Sequence, residues 1–264
     1  MGKALEVIAG GATAPGATFT ALTMGAGNSL TIRNFKTGTT AYIVGLWDSR
    51  NAVGNLRIRS PRLHDNVQGI RVYGNAGEQF NYIPQGLVQK VEAQDTLIAE
   101  ITGSAVAAEI EQGAMLLYYE NLDGVNARFI NSNELRMRSK NIVIVENSLI
   151  TGVAGGWSAE TALNSSFNLL KANTDYALVG ATFSDNCLAV GWRGADSGNM
   201  RFAIPGEAGN KEYTANFFIR LSDSLGVPLI PVINSANLGN TLVDCMQNQA
   251  GVDVIVSTIL VELS

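Results

Sequence analysis

The sequence predicts an all-β chain built from two similar units in tandem. Three observations carry that expectation. Apolar and polar residues alternate with the period of strands, turn residues break the alternation at short intervals, and one segment recurs in the second half. The alternation is plainest in Leu56-Arg57-Ile58-Arg59 and Ile70-Arg71-Val72-Tyr73, because successive side chains of a strand point to opposite faces of its sheet.

Taken in order, residues 1–24 lead into the glycine-rich stretch 10–27 and show no alternation, so they are expected to form a flexible N-terminal arm. Strands are expected at 41–47, 56–59, 70–73, 97–101 and 115–120, and again at 142–146, 176–183, 217–221 and 229–233. The β-branched run 252–263 makes a long final strand, since such side chains pack well on a pleated surface. Asn, Gly and Asp mark turns at 51–55, 74–77, 123–124, 206–210 and 234–240. Helical periodicity is nearly absent. Only 106–112 and 159–170 could hold a short helical turn. Many strands at short spacing with few helices point to sandwiches or barrels.

The repeat gives the organisation. Lys36, Thr39, Val44, Gly45, Ser49 and Asn51 match Lys171, Thr174, Val179, Gly180, Ser184 and Asn186 without a gap. Flanking features follow in the same order. Asn28-Ser29 and Asn164-Ser165 precede the two copies, and Ala52-Val53-Gly54 and Ala189-Val190-Gly191 follow them. Further on, 56–61 echoes 200–205 and 97–101 echoes 229–233. Self-similarity of this kind reads as duplicated structural units. The expected division is a first unit at 1–122, including the arm, a connector at 123–156 contributing a strand, and a second unit at 157–264.

Composition then excludes whole classes of function. The chain has 264 residues, of which 46% are hydrophobic and 16% charged, against about 25% charged in ordinary domains. A net charge of −5 argues against a protein whose main task is neutralising nucleic-acid phosphates. Residues 1–140 hold 13 Lys/Arg and 12 Asp/Glu, and residues 141–264 hold 5 and 11, so the first half is the more basic. One histidine, His64, and two distant cysteines, Cys187 and Cys245, cannot supply a clustered zinc site or a disulfide framework. No secretory signal or membrane-spanning run is read, so a cytoplasmic origin is expected.

Individual motifs fall short of chemistry. The stretch 11–18 has Ala17 where a phosphate loop needs lysine, and 25–30 has only two glycines of a dinucleotide fingerprint. His64-Asp65 lacks a nucleophile elbow, and Glu92/Asp95 and Glu109/Glu111 are candidate carboxylate pairs only if the fold joins them. Asn164-Ser165-Ser166 is a formal sequon expected by chance. Trp47, Trp157 and Trp192 suit core aromatics better than sugar platforms. The sequence therefore predicts no enzyme, no catalytic residues, no cofactor and no metal.

Duplicated eight-strand units fit a double cupin, a pair of lectin-like sandwiches or a double jelly roll. A cupin needs a histidine cluster that one histidine cannot make. On its repeat 36–51/171–186, its matched terminal strands and its lack of helices and catalytic groups, the chain resembles the double jelly-roll major capsid proteins of tailless icosahedral viruses, the tectivirus, corticovirus and adenovirus lineage. The resemblance implies two tandem eight-stranded antiparallel jelly rolls with short helical turns. It also implies homotrimers forming pseudo-hexagonal blocks that tile a virion shell, over an internal membrane. Implied partners are other copies of the chain, penton or minor capsid proteins and that membrane, with no sequence-specific nucleic acid and assembly in the host cytoplasm. The alternative is a phage spike or fibre, or a lectin-like carbohydrate-binding sandwich.

Overall fold

A computed structural model describes residues 2–24, 31–49, 52–63, 65–74, 89–150, 154–163, 170–184, 187–206, 211–247 and 250–264. The chain is mostly β, in antiparallel sheets. Its first half holds a five-stranded sheet ordered β3-β1-β9-β4-β7 and a four-stranded sheet ordered β2-β8-β5-β6. These strands are β1 (Gly2–Thr13), β2 (Thr20–Ala21), β3 (Thr23–Met24), β4 (Thr40–Ser49), β5 (Gly54–Arg59), β6 (Ile70–Gly74), β7 (Gln89–Val91), β8 (Ile98–Ile101) and β9 (Ile110–Leu122).

The second half repeats the plan. A five-stranded sheet is ordered β10-β16-β13-β18-β11, and a four-stranded sheet β12-β17-β14-β15. Here the strands are β10 (Arg128–Ile130), β11 (Ser139–Ile150), β12 (Thr161–Ala162), β13 (Asp175–Phe183), β14 (Cys187–Arg193), β15 (Phe202–Pro205), β16 (Ile230–Asn234), β17 (Leu242–Gln247) and β18 (Asp253–Leu263). The order β1-β9-β4-β7 thus matches β11-β18-β13-β16, and β2-β8-β5-β6 matches β12-β17-β14-β15.

The recurring segment occupies one place in both halves. β4 lies between β9 and β7, and β13 between β18 and β16. Each also carries a register shift at the same point, between Ile43 and Gly45 in β4 and between Leu178 and Gly180 in β13. An extra residue in one strand bends it locally. At the second bulge glycine is required, because a Cβ on Gly180 would stand 2.1 Å from the Thr214 carbonyl oxygen.

Four expectations need correcting. Residues 1–24 are not an arm. β1 pairs with β9 from Ala4 to Thr13 and with β3 through Gly10 and Gly11. Its glycines and alanines suit a strand pressed on both faces, which has no alternation to display. The segment 217–221 is helical, the start of α3 (Phe217–Leu225). Phe217, Phe218 and Leu221 fall on one helical face and are buried, and Gly226 ends the helix at φ +67°. The later echoes were shifted by one strand. β5 corresponds to β14 rather than β15, and β8 to β17 rather than β16. The insertion of α2 (Lys211–Ala215) and α3 between β15 and β16 breaks the even spacing. Finally, residues 123–156 hold β10, α1 (Ser132–Arg138) and β11. β11 is no linker strand, since it pairs with β18 from Ile142 to Ile150 inside the second half's sheet. Asn131 caps α1, its side chain accepting from the Glu134 amide at 2.8 Å.

Among the described residues, two cores form. One lies inside the first sandwich, around Leu56, Ile58, Ile101, Met115, Leu117 and Tyr119. The other fills the second sandwich and continues across to the first half. In it Trp192 stacks on Phe202 at 5.9 Å and donates its indole N–H to Thr258 Oγ1 at 3.1 Å. Residues of β1 divide between the cores. Ala4, Ile8 and Ala12 face the first, while Leu5, Val7 and Ala9 join the second.

Removal of residues 1–13 is therefore expected to abolish cooperative melting of the first half, as followed by near-ultraviolet circular dichroism. A truncated chain that melts within a few degrees of the full chain would show that β1 is dispensable. Gly180→Ala should destabilise by about 1–3 kcal/mol, the usual cost of overpacking, measurable by chemical denaturation; no change would refute the close approach of α2.

Candidate interaction faces

Among the described residues, the outer faces of two sheets, one from each half, pack against each other. Beside its own core, the β1-β9-β4 sheet presents Leu5, Val7, Ala9, Trp47, Ala114 and Leu116 on its other side. That side packs against the outer face of the β14-β17 sheet. Ala9, Trp47, Gln112 and Ala114 surround a small cavity together with Ala189 and Met246. The Val7 amide donates to the Arg201 carbonyl at 2.7 Å, and Trp47 meets Phe217 edge-on at 6.5 Å.

The covered face of β14 and β17 carries an ionic cluster. Arg201 Nη2 lies 2.7 Å from Asp244 Oδ2 and 3.2 Å from Glu160 Oε1, and Arg193 pairs with Glu160 as well. The Arg201 guanidinium also lies over the Trp157 ring, 4.6 Å from its centre. Room for this comes from Gly191, where a Cβ would stand 2.7 Å from Asp244 Oδ1 and 3.2 Å from Arg201 Cδ.

The first half carries a counterpart at the same place. Arg57 pairs in register with Glu100, as Gly191 does with Asp244. Arg57 Nε and Arg59 Nε donate to Glu100 Oε2 at 2.8 and 2.9 Å, and Arg59 Nη2 to Oε1 at 3.1 Å. Arg57 lies over the Phe19 ring at 3.8 Å, with Arg71 at 5.4 Å from the same ring. Each four-stranded sheet thus bears arginine, carboxylate and aromatic ring on its outer face.

Surroundings set the two carboxylates apart. Glu100 retains 12% of its side-chain exposure, and hydrogen bonds from Arg59 and then Arg57 hold it below the usual carboxylate range. Asp244 retains 3%, and burial pushes it up to about 7, outweighing the nearby Arg201 charge.

Other sequence candidates are dispersed. Asp95 is buried and accepts from Ser60 Oγ at 2.6 Å, whereas Glu92 points to solvent. Glu111 is fully buried and accepts from the Ser104 amide, and Glu109 is half-buried. Trp47 and Trp192 are core residues, and Trp157 is half-buried beneath Arg201. Cys187 and Cys245 are buried free thiols in the second core, and burial pushes Cys187 up. Residues 11–13 end β1 rather than open a helix. His64, 25–30 and the sequon 164–166 lie outside the described residues. Among the described residues no group of three His, Cys, Asp or Glu could hold a metal, and no helix is long and apolar enough to cross a membrane.

The sign of the Asp244 shift gives a pH test. Raised from 3.8 to about 7, it makes the folded state bind a proton that the unfolded state has released, so its contribution is full below about pH 4 and is lost as pH rises through 7. Glu100, lowered, acts the opposite way and is lost on acidification. Asp244→Asn should therefore gain melting temperature relative to the native chain between pH 5 and 8. Glu100→Gln should cost stability at pH 7 and little at pH 3. A flat difference across pH for either variant would overturn its assignment.

No family model matches the sequence, and no curated protein does. Among solved structures, the chain is similar to the PBSX exported protein XepA, at 8% identity, covering 97% of this chain and 86% of that one with a TM-score of 0.29. The STIV MCP gives 9% identity, coverage of 100% and 97%, and a TM-score of 0.21. The major capsid protein P2 from Bacteriophage PM2 gives 6% identity, coverage of 99% and 98%, and a TM-score of 0.24. The neighbours of this chain thus include viral major capsid proteins and a phage protein, at scores too low to decide its fold or its task.

Proposed function

We propose that the chain is a viral major capsid protein made of two jelly rolls, which self-assembles as homotrimers into an icosahedral shell. The observation that carries this reading is the strand order. Numbering the eight recurrent strands of each half in sequence, a sheet ordered 1-8-3-6 is accompanied by one ordered 2-7-4-5, twice over. That order is the one expected of a jelly roll, an architecture shared by viral capsid proteins and other proteins such as lectins and cupins, and it supports the reading. The units run 1–122 and 139–264, with β10 and α1 between them.

Composition supports the same reading. A chain with 16% charged residues suits a protein that buries much of its surface against copies of itself. An acidic net charge leaves genome packaging to other components, and pentons, minor capsid proteins and an internal membrane are the further partners. The place of action is the virion. On this reading the chain is neither an enzyme nor a cofactor protein, in keeping with the roles of Glu100, Asp244, Asp95, Glu111 and both thiols in ion pairs, buried hydrogen bonds and packing.

Light scattering on the purified chain, followed by electron microscopy, tests this. A trimer that forms hexagonal tiles or shells is the expected outcome. A monomer that never associates at high concentration and binds a glycan array would replace the coat with the adhesin.

A further inference from the structure

We propose that the outer face of β11 and β18 in one copy docks on the Arg57–Glu100–Phe19 face of a second copy, head to tail. The inference rests on the coat reading for the number of copies, and on the geometry within one chain for the pair of faces. β11 and β18 correspond to β1 and β9, and β5 and β8 to β14 and β17. Within the chain, the outer side of β1 and β9 covers the outer side of β14 and β17. Among the described residues, one copy leaves the apolar side of β11 and β18 exposed on its second half, and on its first an arginine face whose Arg57, Arg59 and Glu100 side chains keep 15%, 24% and 12% of their exposure.

The open apolar face is unusual for a surface strand. Ile142, Ile144, Ile150 and Ile255 are 49–73% exposed, and they share a side because Ser148 pairs with Ile255 and Ile144 with Ile259 across the two strands. Ile142 and Ile144 form one apolar group beside half-buried Ile259, and Ile150 and Ile255 form another, with Glu146 and Ser148 between them; isolated exposed apolar residues are ordinary, but clustered ones mark an interaction surface. Two acids lie on the same side: exposed Glu146, which accepts from Ser257, and exposed Asp253, which accepts from Ser148.

The facing surface has the complementary character. Arg57, Arg59 and Arg71 outnumber Glu100 there, and Val67, 71% exposed, adjoins them through its carbonyl contact with Arg57 Nη1. Opposite potentials on two faces fix orientation and speed encounter. A contact between different surfaces is heterologous, so it can close a ring instead of stopping at a pair.

The test uses full-length chains. Ile144→Asp and Ile255→Asp replace exposed side chains, so melting should stay within a few degrees while association weakens at least tenfold by light scattering. For orientation, an Ile144→Cys chain mixed with a Val67→Cys chain and a short bis-maleimide should give a covalent pair, whereas Ile144→Cys alone should not. The two native cysteines are buried and do not compete. A native oligomer that both aspartates leave intact overturns the pair of faces and leaves the coat reading standing. So does cross-linking of Ile144→Cys to itself, which would mean a twofold contact. Loss of co-sedimentation with anionic phospholipid vesicles in the aspartate variants, with the oligomer intact, would assign the face to lipid and overturn the proposal. A native chain that stays monomeric removes both the coat reading and this one.

Discussion

Burial of the β1-β9-β4 sheet on both of its faces is the constraint on which the rest of the chain depends. One face closes the first sandwich, and the other is the floor on which the second half sits. A sheet in that position cannot alternate polar with apolar, and its strands are built from small and apolar residues on both sides. The second half can then place an ionic cluster on the matching face, because the first half excludes water from it. Asp244 shows the effect, shifted upward by desolvation despite a guanidinium at 2.7 Å.

Duplication and divergence are visible in the same surface. Glu100 and Asp244 lie on the corresponding strands β8 and β17, opposite β5 and β14, and an aromatic ring lies under an arginine in both halves. In the first half the arginine comes from the strand itself, as Arg57. In the second the strand has Gly191, and Arg201, just before β15, reaches over the gap. The two halves thus reach a similar arrangement with different residues.

How much of this was legible in the sequence follows from the kind of signal each element emits. β4 and β13 were readable because they keep the same bulge and the same glycine at it, Gly45 and Gly180. β5 and β6 were readable by alternation, and β18 by its β-branched run. β1 was not, since two-sided burial erases the period and leaves only glycine and alanine, which resemble a loose arm. α3 carried a readable signal in Phe217, Phe218, Leu221 and Gly226, but the aromatic run looked equally strand-like. The arginine–carboxylate clusters could not be read at all. Arg57 with Glu100, and Arg201 with Asp244, meet only after strands far apart in sequence have paired. The carboxylate pairs that proximity in sequence suggested were separated by the local backbone, exposed Glu92 from buried Asp95 and half-buried Glu109 from buried Glu111.

The pairing of β1 with β9 also governs the order of events on the ribosome. Ala4 meets Tyr119 and Thr13 meets Ile110, so β1 has no long partner until residues 110–119 have been made. β11 repeats the delay, since Ile142 meets Val261 and Ile150 meets Asp253. Contacts of such long sequence separation slow folding and leave strand edges exposed meanwhile. Each half must therefore wait for its last strand before its main sheet can close. The first sheet can then serve as a finished template for the second.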